Sequence, residues 1–328
     1  MYQMMSLPLY SGTFQEYDSW RDLGQELERL GCDGIEGVWG GEDLPKDLPA
    51  ELILGYHLIF YPDWLDFYRD DRAALKQKFG SLEAVASFYG GLGPDTLLEQ
   101  YRADLRRAVN LGARYVVFHV SDVSLEEGYT YRWLHTNQEV IDAAVEVVNL
   151  ILGEERWPFE FLVENQWWPG FTFTEPEETA RLLEGIRFAG KGILLDTGHL
   201  MNACTELKTE AEGADYIRSM LNRHGSLAKW VRGVHLHQSL SGAYVKAHTG
   251  SLPAGLPEDY MERFGVSYQH ILQIDQHRPW TDPAILPVLE QIEPRYLTHE
   301  LSSRGRMARA EAVSIQTRLL RQGGRMRV

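Results

Sequence analysis

Seven short apolar runs in this chain stop at a carboxylate or an imidazole: Glu36, His57, His119, Glu164, Asp196, His235 and Glu300. An ionised carboxylate buried without a partner costs several kcal/mol. Glu164, directly after Phe-Leu-Val, therefore needs a cation, and the neighbouring runs supply almost no lysine or arginine. His235 and His237 are two apart and share a strand face, which makes the deeper His235 a ligand and turns His237 toward the opening and a substrate. Asp196 and His199 are three apart, and Gly198 between them permits a turn that brings both to one mouth. His299 alternates with Glu300 and points the other way, as a structural residue. Carboxylates and an imidazole aimed at one point call for a divalent ion. The set Glu164, Asp196, His235 and Glu300 is oxygen-rich with one nitrogen, which suits Mn²⁺, Mg²⁺ or Co²⁺ and accommodates Zn²⁺.

Such convergence requires a frame. Eight strand-like runs, from MMSLPLY at Met4 to RYLTHELSS at Arg295, alternate with helical stretches such as YDSWRDLGQELERLG and NQEVIDAAVEVVNLIL. Eight β/α units in a chain of this length predict a (β/α)8 TIM barrel, an α/β fold with one domain over residues 1–328, in which the strands' C-terminal ends form the active mouth. Two connections are overlong: 62–112 after the third strand, predicted as two helices joined at GGLGP, and 240–294 after the seventh. Trp39 and Trp167 fall beside the mouth as apolar walls for a sugar or cyclitol ring. Arg304, in SSRGR after the last strand, sits near the usual barrel phosphate position, with Arg278 as a second anchor for a phosphorylated substrate.

A net charge of −15 disfavours nucleic acid and anionic membrane as partners. Two distant cysteines, Cys32 and Cys204, exclude a disulfide framework and a zinc ribbon, and fit a reducing cytoplasm. No run approaches a membrane span and the first residues carry no targeting pattern, so a cytoplasmic protein is expected. Seven arginines from Arg304 to Val328, against the single acid Glu311, form either a solvated last helix or a contact with an acidic neighbouring subunit in a homo-oligomer.

The pieces FLVEN, LLDTGH, VHLHQS and LTHEL together resemble the xylose isomerase-like TIM barrel superfamily, which includes sugar isomerases, ketose 3-epimerases, inosose dehydratases and endonuclease IV. The resemblance implies that Glu164, Asp196, His235 and Glu300 form the shared metal site, and that His199 is a second-sphere or substrate histidine. GCDGIEG resembles the epimerase branch and implies that Glu36 contacts substrate or a neighbouring ligand. GYHLIF, VVFHV and IDQH resemble endonuclease IV, implying that His57, His119, Asp275 and His277 hold a second metal or substrate. The activity expected first is a metal-dependent isomerase or epimerase acting on a small sugar, sugar phosphate or cyclitol. Glu164 and Glu300 would exchange protons through a metal-stabilised enediolate while His199 polarises the oxygen. The alternatives are an endonuclease IV-like zinc phosphodiesterase and a non-catalytic metal- and sugar-binding barrel.

Overall fold

In the computed structural model, which describes residues 1–322, eight parallel strands close into a barrel in sequence order. They are β1 (Tyr2–Leu9), β2 (Gly34–Trp39), β3 (Ile53–His57), β4 (Tyr115–His119), β5 (Glu160–Glu164), β6 (Lys191–Asp196), β7 (Val231–His235) and β8 (Tyr296–His299). The β8–β1 pairing completes the ring. Seven of the eight predicted runs contain their strand, and β1 begins at Tyr2, two residues before its run at Met4.

The two-residue period of the strands builds the interior in layers. Met4, Leu54, Tyr115, Val117, Leu162, Leu194 and Tyr296 form an apolar cluster. Two residues further along, on the same face, stand His119 after Val117, Glu164 after Leu162 and Asp196 after Leu194. Strand pairing sets His119 beside Glu164 and Asp196 beside His235. A packed hydrophobic plug thus carries a polar floor at the strands' C-terminal ends.

Helices form where the sequence supplies caps. Ser124/Glu127, Thr136/Glu139 and Thr209/Glu212 make reciprocal capping boxes at the starts of helices 125–130, 137–152 and 210–224. The last helix, Arg306–Gln322, lies beside helix Trp20–Leu30, with the Arg306 guanidinium paired to Asp22 (Nη2–Oδ1 2.8 Å) and Glu26 (2.7 Å). Arg309 pairs with Glu16. The basic tail is therefore spent partly on acids of its own barrel; its Arg325 and Arg327 lie outside the described residues.

The segment between β3 and β4 holds four helices, 65–68, 72–79, 82–89 and 94–110, where the sequence suggested two. Its Ser81 cap and Gly80 divide what reads as a continuous helical stretch. The segment between β7 and β8 holds helices 242–248, 260–274 and 285–292. The two insertions pack together: Phe79 stacks on Tyr260 with ring centroids 3.9 Å apart, Phe88 meets Phe264, and Arg263 donates to the Lys78 carbonyl at 3.0 Å. No helix among the described residues is long and apolar enough to cross a membrane.

Candidate metal centre

At the C-terminal mouth, three groups of metal-type side chains lie side by side, each with its ligand atoms within 4.8 Å of one another. They are His57, His119 and Glu164; Glu164, Asp196, His235 and Glu300; and His199, His237, Asp275 and His277. Glu164 belongs to two of them. Its Oε2 lies 3.3 Å from His57 Nε2 and 3.1 Å from His119 Nε2, while its Oε1 lies 3.4 Å from His235 Nδ1 and 3.1 Å from His199 Nδ1.

The histidine tautomers decide what these contacts mean. A carbonyl oxygen only accepts, so the ring nitrogen facing one must carry the proton. His57 Nδ1 donates to the Leu58 carbonyl at 2.8 Å, His199 Nδ1 to the Asn165 carbonyl at 3.0 Å and His277 Nδ1 to the Glu300 carbonyl at 3.1 Å. In the neutral ring that leaves the lone pair on each Nε2. His57 Nε2 faces Glu164 and, at 3.0 Å, His119 Nε2; His199 Nε2 and His277 Nε2 face Asp275 Oδ2 at 3.2 and 2.5 Å. Lone pairs meeting lone pairs at these distances require protons or cations between them. Histidines with one nitrogen fixed by an acceptor and the other free are the arrangement metal sites use.

The separations suit an ion. Four ligands at about 2.0–2.1 Å on a tetrahedron stand roughly 3.3–3.4 Å apart. Both Glu164 oxygens, His235 Nδ1, Glu300 Oε2 and Asp275 Oδ1 are buried without a hydrogen bond. Among the described residues, every ion-pair partner of Glu36, Glu164, Asp196, Asp275 and Glu300 is a histidine. The donor set thus fits divalent ions, and the nitrogen-rich first and third groups fit Zn²⁺ best.

The protonation equilibria reflect the same demand. Burial opposes ionisation of Glu164, but His119 and His235 outweigh it and hold its carboxyl well below the usual range. Burial lowers His235 and His199, yet the surrounding carboxylates lift both well above an ordinary histidine. Burial lowers His119, helped by the neighbouring His57 and His199, while at His57 burial is outweighed by Glu164 and the other carboxylates, which raise it.

Several residues stand elsewhere than the sequence suggested. His237 is fully buried, not at the opening; its Nε2 is 2.8 Å from Asp196 Oδ2, its ring stacks on His277 at 4.1 Å, and it belongs to the third group. His199 joins that group as a ligand-type residue. It gets there on helix Thr197–Asn202, capped by the Asp196 side chain, not by a glycine turn. Gly198 supplies space: a Cβ there would lie 2.0 Å from the His237 ring. Glu36 is buried below the floor, off the cavity. Its Oε1 lies 2.8 Å from His235 Nε2, and its Oε2 accepts from Tyr115 at 2.6 Å and Thr298 at 3.0 Å, so it holds a neighbour in place and does not reach substrate. Gly55 leaves the room for Tyr115 to make that contact.

Trp39 falls on the outer face of β2, next to the inward Val38; it donates to the Glu42 carbonyl under the Arg107 guanidinium and lines no cavity. Arg278 and Arg304 are exposed and outside the cavity, Arg278 because its backbone pairs with Gln238 at the rim. Trp167 does line it. Asp275 and His277, remote in sequence from β7, reach the mouth because helix Tyr260–Ile274 ends at Asp275. His299 faces the helix layer against Gln316 and Gln3, as expected.

Above the floor opens a cavity of about 450 Å³. His57, His119, His199, Asp275, His277 and Glu300 line its base; Glu164, Asp196 and His235 lie beneath. Its walls include Trp168, Phe60 at the end of GYHLIF, and three residues outside every quoted motif, Phe88, Phe264 and Tyr268. The available signal was the aromatic density of the two overlong connections.

A model of the xylose isomerase-like TIM barrel matches residues 25–293. Among solved structures the chain is similar to a D-tagatose 3-epimerase-like protein (TM-score 0.54, 15% identity, covering 99% of this chain and 98% of that one). It is similar to endonuclease IV from Thermus thermophilus (0.52, 16%, 98% and 100%) and to mannonate dehydratase from Streptococcus suis (0.53, 13%, 100% and 96%). No curated protein matches the chain. Identities this low carry the fold and not the reaction.

Proposed function

The chain belongs to the xylose isomerase-like TIM barrel family, and from that premise we propose that it is a multinuclear metal-dependent phosphoesterase. The observation behind this reading is the Glu164 carboxylate with its two oxygens turned to different ligand groups, His57 and His119 on one side and His235 on the other. One ion would leave at least one of these groups unused. If bound, adjacent ions held by these residues would supply Lewis-acid charge stabilisation of the kind displacement at phosphorus needs.

The chain's own residues have distinct parts. Glu164 sets the spacing of the ligand groups. Glu36 and the carbonyls of Leu58, Asn165 and Glu300 orient the histidine rings. His57, His119, His199, Asp275, His277 and Glu300 present the polar floor to the substrate, and the aromatic wall keeps bulk water from it. Zn²⁺ is the ion proposed.

A single-ion isomerase or epimerase on a small carbohydrate is the second reading. It is favoured by the group Glu164, Asp196, His235 and Glu300, which is complete by itself. Against it, Glu164 is buried beneath the cavity with both oxygens facing histidines, so it lacks the access a base at a sugar carbon needs.

Zinc-loaded protein should hydrolyse simple phosphomonoesters to phosphate and alcohol, or phosphodiesters to a phosphomonoester and alcohol, and should incorporate no solvent deuterium into ketoses or ketose phosphates. Deuterium on carbon without ester hydrolysis would select the isomerase instead.

A further inference from the structure

The cavity wall has a chemistry that neither a sugar nor a nucleic-acid strand matches. Among the residues lining it there is no lysine and no arginine, and Arg278 and Arg304 are exposed outside it. A polynucleotide needs such groups along its backbone. A sugar needs hydroxyl partners over its whole ring, and the wall offers few: Trp167 Nε1, Trp168 Nε1 and Ser267 Oγ are without a partner but buried, and other polar groups are engaged. Tyr61 donates to Gln100 at 2.5 Å, and the Ser124 hydroxyl caps helix 125–130. What remains is aromatic and aliphatic surface from three connections. Phe60 and Phe88 come from the β3–β4 segment, Trp168 from the loop after β5, and Phe264, Tyr268 and Ile271 from helix 260–274.

That wall is fastened. His270 sits with its Nδ1 3.0 Å from Tyr244 Oη and its Nε2 3.2 Å from the Gly128 carbonyl, and stacks on Tyr129 at 4.3 Å, which seats helix 260–274 over the mouth. The resulting volume is in the range that takes a drug-sized ligand.

Resting on the phosphoesterase reading, we propose that the substrate is the phosphate ester of an apolar, aromatic or alkyl alcohol, its phosphate on the histidine floor and its organic group against the Phe60–Phe264–Tyr268 wall. In the reaction a water oxygen bonds to phosphorus, the bond from phosphorus to the ester oxygen breaks, and that oxygen takes up a proton, giving the free alcohol and phosphate.

The test uses non-hydrolysable phosphonates on zinc-loaded full-length protein: methyl-, butyl-, hexyl- and naphthylmethylphosphonate, with inorganic phosphate and ribose 5-phosphate as polar references. Binding is read by calorimetry and by quenching of the wall tryptophans. Affinity should rise by up to roughly fourfold per buried methylene, and ribose 5-phosphate should bind no tighter than inorganic phosphate. Phe60→Ala and Tyr268→Ala, at side chains 47% and 51% exposed and therefore dispensable for folding, should flatten the series. Equal affinity along the series, or preference for ribose 5-phosphate, overturns the apolar substrate while leaving phosphate hydrolysis standing. Failure of every phosphonate and of phosphate to bind overturns both.

Discussion

Glu36 and Gly198 test the floor without themselves being ligands of the proposed ions. Glu36 approaches His235 Nε2 and keeps Nδ1 turned to Glu164 and Glu300. Glu36→Gln should lower zinc affinity by roughly 10- to 100-fold, the usual cost of losing a carboxylate behind a histidine ligand, with the circular dichroism spectrum intact; competition against a chromogenic chelator measures it. Unchanged affinity would mean that the 2.8 Å contact holds nothing. Gly198→Ala pushes a methyl into His237, which cannot retreat because it is stacked on His277. One ion fewer per chain is expected by elemental analysis, the first two groups keeping theirs; full occupancy would free His237 of any part in the third group. At this scale the strand-end residues were legible because a two-residue period fixes their face once the strands are placed. Of the two contacts expected of Glu36 the one to a neighbouring ligand is found, while His237 and Gly198 were misjudged because depth along the barrel axis and contact across strands are not written in one strand's sequence.

The connecting elements are held by a second polar network, away from the floor. Lys78 Nζ bridges Asp63 Oδ1 and Asp66 Oδ2 at 2.7 Å each, and His135 Nε2 lies 3.2 Å from Asp66 Oδ1. It ties the β3–β4 segment to the turn before helix 137–152. Burial pushes the Asp66 carboxyl up, but His135 and Lys78 overcome it and hold it at about 2, below its ordinary 3.8. A depressed carboxylate stabilises the fold above its unfolded value and loses that contribution as pH falls through the folded value. The stability gap between wild type and Asp66→Asn should therefore be open at pH 5 and close between about pH 4 and pH 2, as followed by urea unfolding. A gap independent of pH would remove Asp66 from the tether. None of this network was legible beforehand, nor was the third ligand group as a unit, because Asp275 reaches the mouth only through the path of helix 260–274. The number and span of β/α units was legible, since each carries its own periodicity and caps.

For the whole molecule, closure of the barrel in sequence order turns seven separate strand ends into one floor, and the two insertions, packed on each other, turn the floor into a cavity. On the proposed reading, the net charge of −15 and a cavity lining without lysine or arginine would disfavour polyanions at a site that binds one phosphate. All of this depends on more than one ion occupying the mouth. The direct measurement is zinc content per chain together with anomalous scattering from crystals of the zinc-loaded protein. Three peaks are expected: one among His57, His119 and Glu164, one among Glu164, Asp196, His235 and Glu300, and one among His199, His237, Asp275 and His277. A single peak in the second group, with the other two groups occupied by protons alone, would contradict the multinuclear centre and return the protein to one-ion chemistry.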